Sequence, residues 1–253
     1  MRKRRGRVLD GLLLLDKPVD LSSNHALQRA KRLFDAQKAG HTGTLDPFAT
    51  GLLICCFGRM TKLAGRMLEA DKTYIATMQL GVETDSGDLT GEVVSRHDRE
   101  ISLQASDIAQ AIEQFKGEIE QLPPMTSALK HKGKPLYSYA RQGIEIERQP
   151  RKVTIHAIGL LSVDGSVATF EVQCSKGTYI RTLAQDVGRV LGVGAHLVGL
   201  RRTRIGPFDV GDAYTLERLA ALESLDSALI RASDLPDELK DAVSMPCGLE
   251  HPV

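Results

Sequence analysis

One stretch, SVATFEVQCSKGTYIRTLAQDVGRVLG, changes its hydrophobic period part-way along, and this change restricts the possible folds more than any other feature of the chain. Apolar and polar residues alternate over residues 168–174, which predicts a half-buried strand. Beyond Gly177 the apolar positions fall at helical spacing as far as Gly192, so a helix is predicted directly behind the strand. Tyr179 and Arg181 therefore stand at the junction between a strand and a helix.

Strand and helix patterns are mixed along the rest of the chain. The apolar run at Gly11–Leu15 predicts a buried strand, and Ser22 or Ser23 is placed to cap a helix behind it. The run LLICCFG predicts another buried strand. Alternation over residues 74–80, the turn TDSGDLTG and the following EVVS predict a hairpin, and Ser106 is placed to cap a second helix. These patterns alone predict an α/β or an α+β protein.

Charge is distributed unevenly along the chain, although the net charge is only +1. Residues 1–66 carry 13 Lys/Arg and 5 Asp/Glu, whereas residues 209–253 carry 3 and 10. The basic start, MRKRRGR, is either a phosphate-binding arm or a solvated terminus. We assign a basic arm to residues 1–8, the main domain to residues 9–214 and an acidic, helix-like tail to residues 215–253.

The chain has no apolar run near the roughly 20 residues that a membrane-spanning helix needs. The GLLLL run ends in DKP and lacks the small-residue cleavage site of a signal peptide. We therefore expect a cytoplasmic protein without a membrane partner. The spacing of Cys55, Cys56, Cys174 and Cys247 does not suggest zinc, so we expect buried free thiols and no metal.

The segment GHTGTLDPFATGLL places a single carboxylate, Asp46, among small, apolar and hydroxylic residues. Asp-Pro readily opens a turn, which is one explanation for this residue. The other explanation is that Asp46 takes part in chemistry, because an anionic carboxylate can attack a sugar carbon or stabilise positive charge there. The segment by itself is compatible with both.

The same segment closely resembles the catalytic motif of the TruB family of tRNA pseudouridine synthases, G-x-L-D-P-x-A-x-G-x-L. Other segments resemble the family in the same order: LLLLDKPVDLSS, DKTYIATMQLGVETDSGD, SALKHKGKPLYSYARQG, CSKGTYIRTLAQDVG and AHLVGLRRTRIGPF. The resemblance extends over roughly residues 8–215. It implies an α+β protein with the pseudouridine synthase fold, in which a mixed, largely antiparallel sheet with flanking helices forms an RNA-binding cleft.

The resemblance implies an isomerase that converts uridine in RNA to pseudouridine, most often uridine 55 in the T-loop of tRNA, without a cofactor or a metal. Asp46 matches the catalytic aspartate, which acts as a nucleophile or as a base. Arg181 matches the arginine that pairs with this aspartate. Tyr74 matches the tyrosine that stacks on the target base, and its hydroxyl is a possible base for the C5 proton.

Three further residues, His41, Tyr179 and Leu200, match family positions that contact the target nucleotide. A stacked uridine cannot expose C1′ and C5 to a carboxylate, so it has to be flipped out of its stack. The resemblance implies that His41 enters the space that the flipped nucleotide leaves. A loop histidine without any ligand role is the alternative for His41.

Several basic side chains are candidate phosphate contacts, and an ordinary surface charge is the alternative for each. They are Lys130, Lys132, Lys134, Arg141 and Arg202 with the rest of the Arg201–Arg204 run. Lys17 matches the family pattern K-P-x-G-x-x-S, and we interpret it as mainly structural. The chain has Asp20 where that pattern has glycine, at a turn that needs a positive φ.

Two other functions stay open. One is a tRNA-binding or folding module that docks the T-arm without catalysis, and the other is a guide-RNA-dependent rRNA pseudouridine synthase. The ionisable Asp46 favours an enzyme, with tRNA as its partner and a monomer as the default state. Bacterial family members commonly end in an RNA-binding PUA-like domain, so the short acidic region over residues 215–253 indicates a degenerate or truncated form of it.

Overall fold

A computed structural model describes residues 5–244, which form two compact units. The first unit consists of residues up to 69 together with those from 205 onward, and the second consists of residues 70–204. The first four residues of the predicted basic arm, and Cys247, lie outside the described residues. Among the helices that the structure describes, none has the length and apolar character that crossing a bilayer requires.

The first unit begins with a strand, a helix and two further strands. Its elements are β1 (Gly11–Lys17), α1 (Ser23–Leu33), β2 (Ala39–His41), β3 (Thr50–Phe57), a 3-10 turn (Gly58–Leu63) and α2 (Ala64–Glu69). Strand β3 pairs antiparallel with both β1 and β2, so Cys55 lies opposite Leu13 on one side and His41 on the other. Ser22 caps α1, because its side chain accepts a hydrogen bond of 3.2 Å from the His25 backbone nitrogen. Both buried strands predicted for this region are confirmed.

The second unit is built on a sheet whose strand order is β12-β4-β11-β10-β7. Its elements are β4 (Lys72–Leu80), β5 (Val82–Thr84), β6 (Val93–Arg96), α3 (Ala105–Glu113), β7 (Gly117–Gln121), β8 (Lys130–His131), β9 (Lys134–Pro135), α4 (Leu136–Ala140), β10 (Arg151–Asp164), β11 (Val167–Cys174), α5 (Ile180–Val190) and β12 (Ala195–Ile205). The pairs β4–β11, β11–β10 and β10–β7 are antiparallel. Helix α3 packs against β10 and helix α5 against β4.

The predicted strand-to-helix junction is confirmed. The alternating apolar side chains of β11 are buried, namely Ala168, Phe170, Val172 and Cys174. Gly177, at φ +78°, turns the chain, and α5 begins three residues later at Ile180. Gly192, at φ +73°, follows the end of this helix. The side chains at the start of α5 are thereby fixed relative to the sheet on which the helix packs.

The predicted hairpin around TDSGDLTG is confirmed, but its first strand is the separate β5 rather than the strand over residues 74–80, because Gly81, at φ +83°, ends β4 and β5 pairs with β6. The predicted cap of the second helix is wrong. Ser106 does not cap α3. Gln104 is the cap residue, and its side chain and that of Asp107 satisfy each other's backbone nitrogens in a capping box.

Strand β10, at 14 residues, has no counterpart among the sequence predictions. Its pairing with β11 shifts register between Ile155 and Ala157 and again between Leu160 and Ser162. Each shift inserts an extra residue into the strand and reverses the alternation of buried and exposed side chains. The alternation of buried and exposed residues therefore continues over too few residues of β10 to be recognised in the sequence.

Residues from 205 onward return to the first unit. They form β13 (Phe208–Asp209), α6 (Leu216–Ala220), α7 (Asp237–Ser244) and 3-10 turns at Val210–Asp212, Leu225–Ala228 and Ala232–Asp234. Two points of this segment hydrogen-bond to β1. Tyr214 bonds to Leu14 and Asp16, and Ile230 exchanges two bonds with Leu12, all at 2.9 Å. The segment is thus attached to the strand on which the first unit is built.

The core of the first unit combines α1, β1 and β3 with side chains from beyond residue 205. Phe34 and Phe57 are in ring contact, with centroids 5.1 Å apart. The later segment contributes Leu216, Leu219, Ala228 and Leu229. The predicted acidic tail therefore supplies core side chains, while its origin as a reduced PUA-like region stays a prediction. The predicted α+β class, with a largely antiparallel sheet and flanking helices, is confirmed.

Candidate active site

Asp46 lies in the first unit, in the loop that joins β2 to β3. The Ala49 backbone nitrogen donates a hydrogen bond of 3.1 Å to the Asp46 carbonyl oxygen, which closes a turn around Pro47. Gly43, at φ +90°, supplies a backbone conformation that side chains rarely adopt. The predicted turn is confirmed, and the Asp46 side chain is partly exposed. His41, the last residue of β2, begins the same loop.

Ser23, in the first turn of α1, holds this loop from one side. Its hydroxyl accepts a hydrogen bond of 2.7 Å from the Leu45 backbone nitrogen and donates one of 3.0 Å to the Leu45 carbonyl oxygen. The Ser23 side chain is buried. One hydroxyl thus satisfies both polar groups of a buried residue and fixes the backbone directly before Asp46.

Lys17 holds the loop on the other side of Asp46. It is fully buried, and its Nζ donates hydrogen bonds to the carbonyl oxygens of Pro18 at 2.9 Å, Leu21 at 2.6 Å and Pro47 at 3.2 Å. An ammonium group has three donors, and burying it is costly unless they are satisfied. This bonding agrees with the structural role inferred for Lys17 from the sequence.

Asp20 also bonds to the loop, because its backbone nitrogen donates a hydrogen bond of 2.9 Å to the Pro47 carbonyl oxygen. Its φ is +63°, so the turn has the left-handed conformation that the sequence pattern predicted. Aspartate tolerates this conformation better than most residues other than glycine. The departure from the family pattern at this position is therefore compatible with the turn.

Arg181 lies in the second unit, in the first turn of α5, and is only 4% exposed. Its Nη1 donates a hydrogen bond of 3.1 Å to the Ser86 carbonyl oxygen and another to the Thr126 hydroxyl, and Nη2 donates one of 3.1 Å to the Thr126 carbonyl oxygen. Nη1 also lies 3.6 Å from Oδ2 of Asp88. The guanidinium is therefore held by two neutral residues and one carboxylate of its own unit.

Asp88 is a buried carboxylate, 4% exposed, that the sequence did not single out. Its Oδ1 accepts hydrogen bonds from the Ser86 hydroxyl at 2.8 Å, the Thr90 backbone nitrogen at 2.9 Å and the Thr90 hydroxyl at 2.6 Å. These bonds orient the carboxylate, while Oδ2 faces Arg181. In the sequence Asp88 belongs to the turn TDSGDLTG, where an aspartate is ordinary, so nothing there indicates a charge pair.

The other predicted residues of the second unit lie on neighbouring elements. Tyr74 is on β4 opposite Val172, partly exposed, and Leu200 is on β12, the neighbour of β4 in the sheet. Tyr179 is the residue that precedes α5, which packs on β4. The second unit thus brings Tyr74, Tyr179, Arg181 and Leu200 onto adjacent elements, and the first unit brings His41 and Asp46 onto one loop. The pairing of Arg181 with Asp46 stays a prediction.

The candidate phosphate contacts differ in exposure. Lys130, Lys132 and Lys134 are exposed on the hairpin of β8 and β9, and Arg141 is exposed with its guanidinium carbon 5.4 Å from the centre of the Tyr137 ring. Arg202 is the exception, because it is 1% exposed within β12. The assignment of Arg202 as a surface phosphate contact is wrong: RRTR lies within a strand, so its charges are not all on the surface.

Part of the predicted basic arm has an acidic partner. Nη2 of Arg7 donates to both carboxylate oxygens of Asp226, at 2.8 and 3.1 Å. Asp226 lies in the segment that follows α6. Arg7 thus forms a surface ion pair within the first unit, and the phosphate-binding role of the arm stays a prediction.

The described thiols are inert as nucleophiles. Cys55, Cys56 and Cys174 are free and buried, and burial raises the pKa of Cys56 and of Cys174 to about 12 and that of Cys55 further still. A thiol must ionise before it reacts, so none of the three is primed for chemistry near neutral pH. Within residues 5–244 no three His, Cys, Asp or Glu side chains are grouped so that they could hold a metal ion.

Two family models match the chain over successive segments. The model described as TruB family pseudouridylate synthase (N terminal domain) matches residues 31–180, and the one described as tRNA pseudouridylate synthase B C-terminal domain matches residues 181–241. The chain belongs to the TruB family of pseudouridylate synthases. The resemblance on which the site assignments depend is thereby confirmed at the level of the family.

Curated relatives of this TruB family member share more than half of its residues. The tRNA pseudouridine synthase B of Bordetella pertussis is 63% identical over 243 residues, which are 96% of this chain and 100% of the relative. The tRNA pseudouridine synthase B of Chromohalobacter salexigens is 54% identical over 235 residues, 93% of this chain and 75% of the relative.

Among solved structures, a chain in the crystal structure of a Cbf5–Nop10–Gar1 complex has a TM-score of 0.70 and is 30% identical. The match covers 93% of this chain and 63% of that one, so this chain spans less than two thirds of its length. The family match and this likeness confirm the predicted pseudouridine synthase fold.

Proposed function

We infer that this chain isomerises uridine to pseudouridine in tRNA, and we propose uridine 55 of the T-loop as its target. The observation that carries the inference is the Asp46 loop within a chain of the TruB family. Buried contacts from Ser23 and Lys17 hold this loop immediately before and after Asp46. Support on both sides holds Asp46 in a defined position, as a reacting group requires.

The proposed reaction conserves every atom and needs no cofactor. The N1–C1′ bond of uridine breaks, the base rotates, a C5–C1′ bond forms, and the proton at C5 is lost while N1 gains one. Asp46 either attacks C1′ or acts as the base that starts the reaction by removing a proton. Both roles require the ionised carboxylate, as in a glycosidase nucleophile.

Arg181 and Tyr74 are assigned supporting catalytic roles. An arginine can pair with a carboxylate through two parallel hydrogen bonds and keep it ionised in a poorly hydrated site. We propose that Arg181 does this for Asp46. We assign Tyr74 to stacking on the target base, because a phenol with a pKa near 10 is a poor base at neutral pH.

The remaining assignments concern RNA binding. His41 fills the space left by the flipped uridine, and Tyr179 and Leu200 contact the flipped nucleotide. Flipping costs a few kcal/mol, and less in a loop than in a duplex, which favours a T-loop target. Lys130, Lys132 and Arg141 are exposed cations suited to phosphate. We further propose that the enzyme acts as a monomer in the cytoplasm.

The guide-RNA-dependent alternative is weaker. The tRNA pseudouridine synthase B of Bordetella pertussis is 63% identical to this chain, against 30% for the chain in the Cbf5–Nop10–Gar1 complex. A binding module without catalysis accounts for family membership but gives no use to an ionisable carboxylate in the motif.

The decisive experiment incubates the protein with unmodified tRNA and maps pseudouridine, with the wild type and the Asp46→Asn variant compared. We expect complete conversion of uridine 55 by the wild type and none by Asp46→Asn, with tRNA binding retained by both. A wild type that binds tRNA and forms no pseudouridine would support the binding module instead. Activity of Asp46→Asn equal to that of the wild type would refute the role of Asp46.

A further inference from the structure

A buried amide side chain grips the main chain of Tyr179. Oε1 of Gln121 accepts a hydrogen bond of 3.0 Å from the Tyr179 backbone nitrogen, and Nε2 donates one of 3.3 Å to the Tyr179 carbonyl oxygen. Gln121 is only 2% exposed. A primary amide offers a donor and an acceptor side by side, so it pairs with one residue much as a neighbouring strand would.

The position of this contact matters because Tyr179 is the cap residue of α5 and its own side chain makes no capping bond. The backbone nitrogens at the start of a helix lack partners inside the helix. Gln121 is the last residue of β7, where it lies opposite Arg151 of β10. It thus ties the start of α5 to the edge of the sheet.

The same stretch of chain makes a second contact with the first turn of α5. Thr126, five positions after Gln121, accepts hydrogen bonds from the Arg181 guanidinium with both its carbonyl oxygen and its hydroxyl. Residues 121–126 therefore hold the backbone of Tyr179 and the side chain of Arg181. The resemblance gives Arg181 a catalytic role and Tyr179 a contact with the target nucleotide.

We propose that Gln121 and Thr126 are positioning residues for the isomerisation. Gln121 sets the orientation of the peptides from which Tyr179 and Arg181 extend, and Thr126 sets the plane of the guanidinium. The proposal rests on the proposed function, since it acts through Arg181, which this function assigns to catalysis, and Tyr179, which it assigns to binding the flipped nucleotide. A misplacement of about 1 Å at a reacting group can cost about 100-fold in rate. The affinity for tRNA should change much less, because the proposed phosphate contacts are other residues.

The test uses the full chain and an unmodified tRNA transcript. The single-turnover rate of pseudouridine formation, the Kd for tRNA and the melting temperature are measured for each variant. For Gln121→Leu and Gln121→Glu we expect the rate per folded protein to fall at least about tenfold, with Kd changed less than about threefold. Gln121→Glu keeps the acceptor for the Tyr179 nitrogen but faces the Tyr179 carbonyl with a second acceptor.

Gln79→Leu is the matched control in the same unit. Nε2 of Gln79 donates to the Leu80 carbonyl oxygen at 2.9 Å and to the Ser166 hydroxyl at 2.6 Å, so this variant loses similar bonds without touching α5. We expect a lower melting temperature and a normal rate. At Thr126, valine removes the hydroxyl acceptor and serine keeps it, so we expect a reduced rate for Thr126→Val and recovery in Thr126→Ser.

The proposal is overturned if Gln121→Leu retains the wild-type rate per folded protein, if its loss lies wholly in Kd, or if Gln79→Leu loses as much rate. Equal rates for Thr126→Val and Thr126→Ser would remove Thr126 from it. An inactive wild type refutes the proposed function instead, so the two failures are distinguishable.

Discussion

Ser23 binds both polar backbone groups of Leu45, its hydroxyl accepting from the nitrogen at 2.7 Å and donating to the carbonyl oxygen at 3.0 Å. Leu45 directly precedes Asp46, so a single buried hydroxyl defines the peptide from which the proposed nucleophile extends. The adjacent Ser22 has a different task, the capping of α1. Of these two neighbouring serines, Ser23 thus supports the loop and Ser22 stabilises the helix.

The first prediction compares these serines. Ser23→Ala removes both bonds to Leu45, and we expect a loss of about 1–2 kcal/mol in the free energy of unfolding together with a rate reduced about tenfold per folded protein. Ser22→Ala removes a helix cap at a cost of about 1 kcal/mol and should leave that rate unchanged. Denaturant unfolding and single-turnover assays measure the two effects. Equal rates for both variants would contradict the role of Ser23.

The second prediction concerns the charge that faces Arg181. Asp88→Asn can keep the Oδ1 acceptor for Ser86 and Thr90, but it removes the negative charge 3.6 Å from the guanidinium. Breaking a buried ion pair typically costs about 3 kcal/mol, so we expect that loss of stability and a severe loss of turnover.

Asp85→Asn is the control for this variant, since Asp85 lies in the same turn and accepts a hydrogen bond of 2.9 Å from the Glu92 backbone nitrogen. This contact is exposed, so we expect nearly normal stability and turnover. If Asp88→Asn turned over tRNA as fast as Asp85→Asn, Asp88 would have no part in the site.

The features that the sequence predicted well are carried by consecutive residues. The Asp46 turn depends on Asp-Pro and nearby glycines. The positive φ at Asp20 depends on a single turn. The start of α5 is marked by a change of hydrophobic period within a few positions. Each can be read locally because short-range sterics and hydrogen bonding decide it.

The features that it did not predict join distant segments. Arg181 bonds to residues 95 and 55 positions away, at Ser86 and Thr126, and Gln121 bonds to Tyr179 across 58 positions. A single sequence contains no signal for such pairs. The assignment of Arg202 as a phosphate contact failed for a related reason, because the residue type alone does not show that a strand buries this arginine.

The third prediction concerns alkaline pH. Burial raises the pKa of Cys174 from 9.0 to about 12 in the folded protein. Below pH 9 the thiol is neutral in both states and its contribution to stability is fully present. Above that pH the unfolded chain loses the proton first, so the free energy of unfolding falls by up to about 1.4 kcal/mol per pH unit for this thiol, until the folded pKa is reached.

Cys174→Ala isolates this effect, because the slope of stability against pH is compared rather than its absolute value. Denaturant unfolding between about pH 9 and pH 10.5 should show a shallower decline for Cys174→Ala than for the wild type. Identical slopes would mean that this thiol titrates alike in the folded and unfolded states.

The fourth prediction tests the hairpin of β8 and β9 as a phosphate contact. Each lysine that neutralises a phosphate releases counterions, so Lys130→Gln and Lys132→Gln should each lower the slope of log Kd against log salt by about 0.7 to 1. Lys116→Gln is the control, since Lys116 is exposed but pairs with Glu113 at 3.2 Å. Arg202→Gln, at a buried position, should lower the melting temperature and leave the slope unchanged. If Lys116→Gln or Arg202→Gln changed the slope and the variants of the hairpin lysines did not, the RNA-binding surface would lie away from this hairpin.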